Sequence, residues 1–194
     1  MPKRALAPPL VVLTIGHSTR PLAAFMALLK AHGVKRLVDI RTVPRSRHNP
    51  QFNQECLPDA LAAAGIQYQH MPGLGGLRHT RRDSPNTGWR NASFRGFADY
   101  MQTPEFEGSL EKLVTLAGQQ PLALMCAEAV PWRCHRSLIA DALTVRGIRV
   151  EHVMSATRRN PHALTPWARL EGLQITYPPE SLSLDFESNK WEAR

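Results

Sequence analysis

The chain alternates apolar runs of strand length with segments that carry apolar residues at helical spacing. The run "LVVLTI" at 10–15 precedes "PLAAFMALLKAHG", and "PLALMCA" at 121–127 precedes "CHRSLIADALTVRG". Short continuous apolar runs are typical of strands that a parallel sheet buries on both faces. The alternation therefore predicts an α/β fold: a single domain with a mostly parallel, Rossmann-like sheet and helices on both faces.

The 194 residues are enough for one domain with a substantial core, and no repeat or linker divides them. We predict a single domain over 1–194, with a motif-bearing core at about 10–155. An irregular C-terminal extension follows at 155–194, with one short strand in "LQITYP".

The N-terminal "MPKRALAPPLVVLTIGH" resembles a signal peptide only superficially, because its apolar run is short and follows two prolines. No apolar stretch approaches the roughly 20 residues of a membrane helix. Three cysteines do not form an even disulfide framework. We therefore expect a cytoplasmic protein with reduced thiols and no membrane partner.

Positive charge is concentrated in one part of the chain. The net charge is +8, and residues 35–95 carry ten Lys or Arg against four Asp or Glu. Such a block attracts phosphates, whether on nucleotides or on nucleic acids. A solvated basic face is the simpler alternative.

Polar residues follow the predicted strands at the points where each strand ends. Ligands of open parallel sheets bind beyond the carboxyl ends of the strands, so we expect these side chains to share one edge. They are His17, Ser18 and Arg20 after the first strand, Asp39, Arg41, Arg45, Arg47 and Asn53 after the second, Gly75, Gly76 and Arg78 after the third, and Cys126, Glu128, Cys134, His135 and Arg136 after the fourth.

Four motifs at these strand ends identify a family resemblance. The stretches "TIGHSTRP", "LVDIRTVPRSRHNPQFN", "PGLGGLR" and "CAEAVPWRCHR", with the tail "YPP", resemble the bacterial domain of unknown function 488 family over about 12–155. The resemblance implies an α/β fold and a shared site without an assigned reaction. Some relatives carry DNA-repair labels, which implies a link to nucleic acid.

Cys126 and Cys134 are the candidate nucleophiles. A thiolate needs a lowered pKa, which a helix N-terminus with nearby Arg or protonated His supplies. Cys134 lies just ahead of a predicted helix, whose dipole would stabilise a thiolate there. Cys126 lies at the end of a predicted strand and is better placed to face a cleft. A cysteine phosphatase loop would place Arg six positions after Cys126, where Trp132 stands, so phosphatase chemistry is disfavoured. Either cysteine can instead be a small buried hydrophobe.

A metal site could draw on Cys126, Cys134, His135 and His17. The gap between the two cysteines is not a usual zinc-ribbon spacing, and the adjacent Cys134 and His135 are expected to point in different directions. We therefore predict no metal. No cofactor is predicted either, because "GHSTRP" lacks the dinucleotide-binding glycines and "PGLGGLR" lacks the G-K-[ST] of a P-loop.

Acid–base chemistry has three candidates in Glu128, His135 and His17. Glu128 can instead pair with an arginine, and either histidine can be structural. Asp39 and Arg41 share a face of the second strand, which predicts an ion pair that aims Arg41 at the cleft.

The remaining candidates are anion ligands. Backbone N–H groups at Gly75 and Gly76, together with the arginines and Asn53, suit a phosphate. A glycine turn and a surface loop are the structural alternatives.

The leading hypothesis is an enzyme acting on a phosphate-bearing substrate, either a nucleotide or a nucleic acid. In it Cys126, Glu128 and His135, with His17, carry the chemistry. A non-catalytic nucleic-acid-binding module linked to DNA repair is the alternative, and a metal- or redox-sensing thiol domain is the third. The sequence predicts no oligomeric state.

Overall fold

The computed structural model describes residues 10–179. The parts of the predicted domain at 1–9 and 180–194 lie outside these residues. The described strands are β1 (Val11–Gly16), β2 (Arg36–Asp39), β3 (Gln67–His70), β4 (Leu122–Cys126), β5 (Arg149–Val153), β6 (Arg159–Pro161), β7 (Arg169–Glu171) and β8 (Gln174–Thr176). The described α-helices are α1 (Leu22–Ala31), α2 (Leu57–Ala63), α3 (Ala92–Tyr100), α4 (Pro104–Gln119) and α5 (Arg136–Val145).

The predicted α/β fold with a mostly parallel sheet is confirmed. Strands β3, β2, β4, β1 and β5 lie side by side in that order and run parallel, and β6 adds an antiparallel edge. Strand β4 lies between β1 and β2, so the connection through α1 passes over one strand of the sheet. Burial explains this order, because β4 is buried along its whole length whereas β3 alternates exposed and half-buried residues at the opposite edge from β6.

Helices cover both faces of the sheet, as the apolar strands require. Phe25 of α1 and Leu61 of α2 belong to one buried cluster, while Phe106 of α4 and Leu138 of α5 belong to the other. Burial of an apolar side chain of this size stabilises the fold by about 1.5–3 kcal/mol. Two apolar layers therefore fix the sheet between the helices and leave its ends for the connecting loops.

The segment after residue 155 contains more structure than the sequence predicts. The expected short strand is β8, and it pairs with β7 as a hairpin, while β6 extends the main sheet. Strands of three residues are too short to show a periodic pattern, which explains why two of them are missed. No helix within the described residues is long and apolar enough to cross a membrane.

The carboxyl ends of the central strands are level with one another. Gly16 of β1 lies opposite Cys126 of β4, and Asp39 of β2 lies opposite Met125. Helices α1 and α5, which follow β1 and β4, pack on opposite faces of the sheet. The loops after these two strands therefore separate, which is the arrangement that opens a crevice in parallel sheets.

Candidate active site

A cleft of about 530 Å³ opens at this carboxyl edge. Its walls come from the loops after β1, β2, β3 and β4 and from the start of α3. The lining residues are His17, Arg41, Thr42, Val43, Arg45, Ser46, Gly76, Leu77, Asn91, Ser93, Phe94, Cys126, Ala127, Glu128, Arg133, Cys134 and His135.

Half of the candidate residues from the sequence line this cleft. They are His17, Arg41, Arg45, Gly76, Cys126, Glu128, Cys134 and His135. The other candidates are not among the lining residues, namely Ser18, Arg20, Asp39, Arg47, Asn53, Gly75, Arg78 and Arg136. The candidates from the sequence do not include the wall formed by Asn91, Ser93 and Phe94. Asn91 is the sequence feature that could have located this wall, because Asn is a common helix N-cap. Its side chain caps α3 by accepting hydrogen bonds from the N–H groups of Ser93 and Phe94.

Backbone pairing beyond the strand ends fixes the floor of the cleft. The N–H of His17 donates to the carbonyl of Cys126 at 3.0 Å, and that of Ser18 donates to Ala127 at 2.9 Å. Gly16 permits this approach, because a Cβ there would lie 1.7 Å from the carbonyl oxygen of Glu128. Only glycine fits at this position, so the loop after β4 is held against β1.

The two cysteine thiols of the cleft contact each other. Cys126 ends β4 and Cys134 precedes α5, and their Sγ atoms are 2.7 Å apart. Both are free thiols with only 3% and 4% of their surface exposed. The Sγ of Cys134 also accepts from the N–H of Arg136 at 3.5 Å, at the first turn of α5. The helix N-terminus therefore faces Cys134.

The surroundings shift the pKa values of the two thiols in opposite directions. Burial raises the pKa of Cys126, and the hydrogen bond and negative charge of Cys134 raise it further. Burial alone would also raise the pKa of Cys134, but hydrogen bonds to Cys126 and His135 outweigh it. The positive charges of His135 and Arg136 act in the same direction, so the pKa of Cys134 lies well below its ordinary value. The pair therefore holds its first negative charge on Cys134.

The imidazole of His135 lies between Cys134 and the loop after β3. Its Nδ1 is 3.6 Å from the Sγ of Cys134, and its Nε2 is 3.1 Å from the carbonyl oxygen of Leu74. The expectation that Cys134 and His135 point in different directions is therefore wrong. The reason is that Cys134 is extended while His135 already has helical backbone angles. A carbonyl oxygen only accepts, so Nε2 carries a proton and Nδ1 is the ring nitrogen that faces the thiol.

Gly76 packs directly on the ring of His135. A Cβ at this position would lie 2.5 Å from Nδ1 and 2.7 Å from Cγ. The glycines of "PGLGGLR" thus serve contact with neighbouring side chains. The N–H of Gly75 donates to the carbonyl of Pro72 at 2.9 Å, and a Cβ on Gly75 would lie 2.3 Å from Thr42 Oγ1.

Arg136 is buried without an acidic partner. It is 1% exposed, and its Nη2 donates to the carbonyl oxygen of Glu128 at 3.0 Å. Within residues 10–179 its Nε and Nη1 have no hydrogen-bond partner, and no carboxylate forms an ion pair with it. A guanidinium stays charged in proteins, and an unpaired buried charge is costly. Arg136 therefore makes the interior beneath the cleft strongly electropositive.

The predicted pair of Asp39 and Arg41 is present and buried. The guanidinium of Arg41 donates to both carboxylate oxygens of Asp39, at 2.9 Å from Nε and 2.5 Å from Nη2. Tyr68 donates its hydroxyl to the same carboxylate at 2.8 Å. Asp39 is fully buried, so it contacts the cleft only through Arg41.

His17 is held as a neutral imidazole. Its Nδ1 donates to the carbonyl oxygen of Ser18 at 2.8 Å, and its Nε2 lies 3.4 Å from Arg41 Nη1. The ring stacks on Phe52 with a centroid distance of 4.3 Å. Burial lowers the pKa of His17 to about 4, and the charges of Arg41 and Arg136 act in the same direction.

Three further predicted anion ligands have partners within the protein. Arg78 lies over the ring of Tyr100 at 3.7 Å and donates to the carbonyl of Gly75. Arg45 pairs with Glu55 on the surface, and Arg20 donates to the carbonyl of Gly16.

Two candidates shape or flank the loop after β2, and a third follows β1. Asn53 accepts from the N–H of Ser46 at 2.6 Å. Arg47 is exposed, and Ser18 has a positive φ of 50°.

A chain of buried polar groups next to β5 was not recognised from the sequence. Thr14 Oγ1 lies 2.7 Å from His152 Nδ1, and His152 Nε2 lies 3.1 Å from His162 Nδ1. His162 Nε2 is 2.8 Å from Asp141, a carboxylate that only accepts, so Nε2 of His162 donates to it. Burial, with the positive charges of His162 and Arg136, lowers the pKa of His152 to about 4.

A larger groove of about 720 Å³ lies between β3 and α4. Its titratable lining residues are His70, Glu111 and Lys112, and it contains no thiol. Among residues 10–179, no three His, Cys, Asp or Glu side chains are grouped to hold a metal ion. The thiol cleft is therefore the arrangement with distinctive chemistry.

The fold and the cleft together define the class: an α/β protein with a pair of thiols at the carboxyl edge of its parallel sheet. The family described as "Domain of unknown function DUF488" matches residues 21–143. The chain belongs to this family. No curated protein and no solved structure matches the chain.

Proposed function

We propose that the protein is an enzyme that binds a phosphate-bearing substrate in the cleft and attacks it with the Sγ of Cys134. The observation that carries this proposal is the surroundings of that sulfur. It faces the Nδ1 of His135 and the first N–H of α5, and the buried guanidinium of Arg136 lowers its pKa. A low pKa and an adjacent base are what activate a cysteine nucleophile.

Cys134 is favoured over Cys126 as the nucleophile because the positive groups act on it. A thiolate at Cys134 supplies negative charge close to Arg136, whose buried guanidinium otherwise lacks an acidic partner among residues 10–179. Cys126 is the protonated neighbour that hydrogen-bonds this thiolate. The geometry thus supports a single reactive sulfur in the pair.

His135 has the position of the general base. Its Nδ1 takes the proton of Cys134, and the carbonyl of Leu74 holds the proton on Nε2. A nucleophile, a base and a third group that orients the base are the parts of covalent catalysis by cysteine. The protonated ring can then return the proton to a leaving group.

Arginines at the cleft support an anionic substrate. Arg41, Arg45 and Arg133 all line it. Arg41 is engaged by Asp39 and Arg45 by Glu55, whereas the guanidinium of Arg133 forms no ion pair with any described residue. Arg133 is therefore the residue proposed to contact the phosphate first. We place the reaction in the cytoplasm, where thiols stay reduced.

A nucleic-acid-binding module is the second candidate, and the exposed arginines of the basic block favour it. Arg45 and Arg81 are each more than half exposed, but both pair with carboxylates of their own loops. Binding to duplex DNA would weaken with salt in proportion to the phosphates contacted. Exchange of Arg45, Arg47, Arg81 and Arg82 for Ala should flatten that dependence if this candidate holds.

Thiol labelling followed by peptide mass spectrometry tests the proposal. With limiting iodoacetamide near neutral pH, Cys134 should be labelled faster than Cys56, the exposed cysteine of the same chain. Inorganic phosphate or a nucleoside monophosphate should slow labelling of Cys134, compared with chloride at equal ionic strength.

The protection should be weaker in Arg133→Ala and unchanged in Arg169→Ala, an exposed arginine outside the cleft lining. Labelling of Cys134 no faster than that of Cys56 would overturn the nucleophile. Equal protection in both variants would overturn the assignment of Arg133.

A further inference from the structure

Cys126 and Cys134 lie close enough to form a disulfide bond, which a single nucleophilic cysteine would not require. Their Sγ atoms are 2.7 Å apart, whereas a disulfide bond is about 2.05 Å long. The two residues come from the end of β4 and the start of α5, which the same loop joins. The sulfurs can therefore join with little movement of the backbone.

We propose that Cys126 and Cys134 are a site of reversible oxidation by a hydroperoxide, and that the resulting disulfide switches off the Cys134 nucleophile. The second half rests on the proposed function, whereas the oxidation itself requires no phosphate-bearing substrate. Hydroperoxide here means hydrogen peroxide or an organic peroxide small enough to enter the cleft of about 530 Å³.

The first step oxidises Cys134. Its thiolate attacks one oxygen of the peroxide, the O–O bond breaks, and an S–O bond forms to give a sulfenic acid. The other oxygen leaves as alkoxide or hydroxide and takes a proton from His135 Nδ1, which lies 3.6 Å from the sulfur. The peroxide is thereby reduced to an alcohol or to water.

The second step joins the sulfurs. The thiol of Cys126 attacks the Sγ of the sulfenic acid, the S–O bond breaks, and the S–S bond forms. The hydroxide leaves with the proton of Cys126 as water. The two thiols have then supplied the two electrons that reduced the peroxide, and a dithiol reductant restores them by thiol–disulfide exchange.

The different pKa shifts of the two thiols and their burial support Cys134 as the sulfur that is oxidised and Cys126 as the sulfur that resolves it. A sulfenic acid forms at the sulfur with thiolate character, and the neighbouring thiol resolves it. Both sulfurs are almost fully buried, while Cys56 is exposed, so exchange with other chains is restricted at the pair. Cys126, which hydrogen-bonds the Cys134 thiolate in the proposed reaction, thus has a second role as the resolving thiol.

The test treats the reduced full-length protein with hydrogen peroxide and maps its peptides by mass spectrometry. We expect a peptide joined through Cys126 and Cys134, lighter by two hydrogen atoms, and loss of iodoacetamide labelling at Cys134. A dithiol reductant should restore both. The matched control is Cys56→Ser, which should behave as the parent chain does.

The two cysteine variants separate the steps. In Cys126→Ser, Cys134 should gain oxygen and be trapped by dimedone, because no neighbour resolves the sulfenic acid. In Cys134→Ser, Cys126 should remain unoxidised under the same conditions. Absence of the Cys126–Cys134 peptide, or a disulfide to Cys56 that forms at least as fast, would overturn the proposal.

The two proposals can fail separately. Fast alkylation of reduced Cys134 without a disulfide after peroxide would overturn the switch and leave the nucleophile supported. A disulfide that forms although Cys134 alkylates no faster than Cys56 would support the oxidation site and overturn the proposed function.

Discussion

The Nδ1 of His135 lies 3.6 Å from the Sγ of Cys134, and this contact pairs an imidazole with a thiol whose pKa the surroundings lower. The ring is fixed at its far side by the carbonyl of Leu74. Its hydrogen bond and charge lower the pKa of Cys134 together with the hydrogen bond to Cys126 and the charge of Arg136, so loss of the ring should reduce the reactivity of the thiol.

The first prediction concerns His135→Ala. Loss of the imidazole should raise the pKa of Cys134 toward the usual value of a free thiol, about 8.5, and slow its alkylation at neutral pH. The pH profile of iodoacetamide labelling measures the shift. His79→Ala, at an exposed histidine, is the control. An unchanged profile in His135→Ala would show that the contact does not set the reactivity.

Gly76→Ala should reduce the reactivity of Cys134 without changing either partner of the pair. The new Cβ would lie 2.5 Å from His135 Nδ1, so the ring must move away from the sulfur. Forced contacts of this kind typically cost about 1–3 kcal/mol. Alkylation rates and urea unfolding measure the two effects.

The matched control for Gly76→Ala is Gly108→Ala. A Cβ at Gly108 of α4 would meet nothing within 4 Å, and alanine there should stabilise the helix by about 0.5–1 kcal/mol. Normal labelling in Gly76→Ala would mean that the ring tolerates the methyl group.

Asp39→Asn should destabilise the fold by about 3 kcal/mol, because it leaves the buried guanidinium of Arg41 without its carboxylate. Urea unfolding measures the loss. The exposed pair of Arg81 and Asp83 offers the control, and Asp83→Asn should have little effect on stability. If Asp39→Asn and Asp83→Asn lowered the free energy of unfolding equally, burial of the ion pair would not explain the loss.

The free energy of unfolding should decrease as the pH is lowered below neutrality, and His152 should account for part of this decrease. Its pKa is about 4 in the folded chain and about 6.5 in an unfolded one. Below pH 6.5 the unfolded chain therefore takes up a proton that the folded chain does not. The free energy of unfolding falls until about pH 4, by no more than about 1 kcal/mol per pH unit after solvent screening.

His152→Gln should flatten this dependence, and His17 should account for part of what remains. Urea unfolding at several pH values between 4.5 and 7 provides the measurement. His79→Gln, at a solvent-exposed position, should keep the slope of the parent chain. A parental slope in His152→Gln would refute the assignment.

The sequence predicts the edge of the sheet that carries the cleft because strand ends can be read from apolar runs. Cys126 and His17 follow such runs directly, and the parallel sheet brings them together. The ion pair of Asp39 and Arg41 follows from their spacing in an extended segment, since residues two apart share a face, although β2 itself ends at Asp39. These features depend on local pattern and on one topological rule.

Contacts between distant loops could not be predicted in this way. Gly76 and His135 meet because two loops cross above the sheet, and no periodic pattern encodes that crossing. The burial of Arg136 depends on the loop after β4 folding back over it. The orientation of His135 toward Cys134 depends on where the helix starts, which sequence patterns locate only to within a few residues.

The two walls of the cleft differ in how well they should tolerate amino-acid substitution. Gly16 and Cys126 belong to paired central strands, where a substitution disturbs the core, whereas much of the opposite wall comes from the loops at 42–46 and 91–94. Surface loops tolerate replacement far better than strands. Evolution, or a protein engineer, can therefore exchange that wall to admit a different compound while the inherited thiol pair stays as it is.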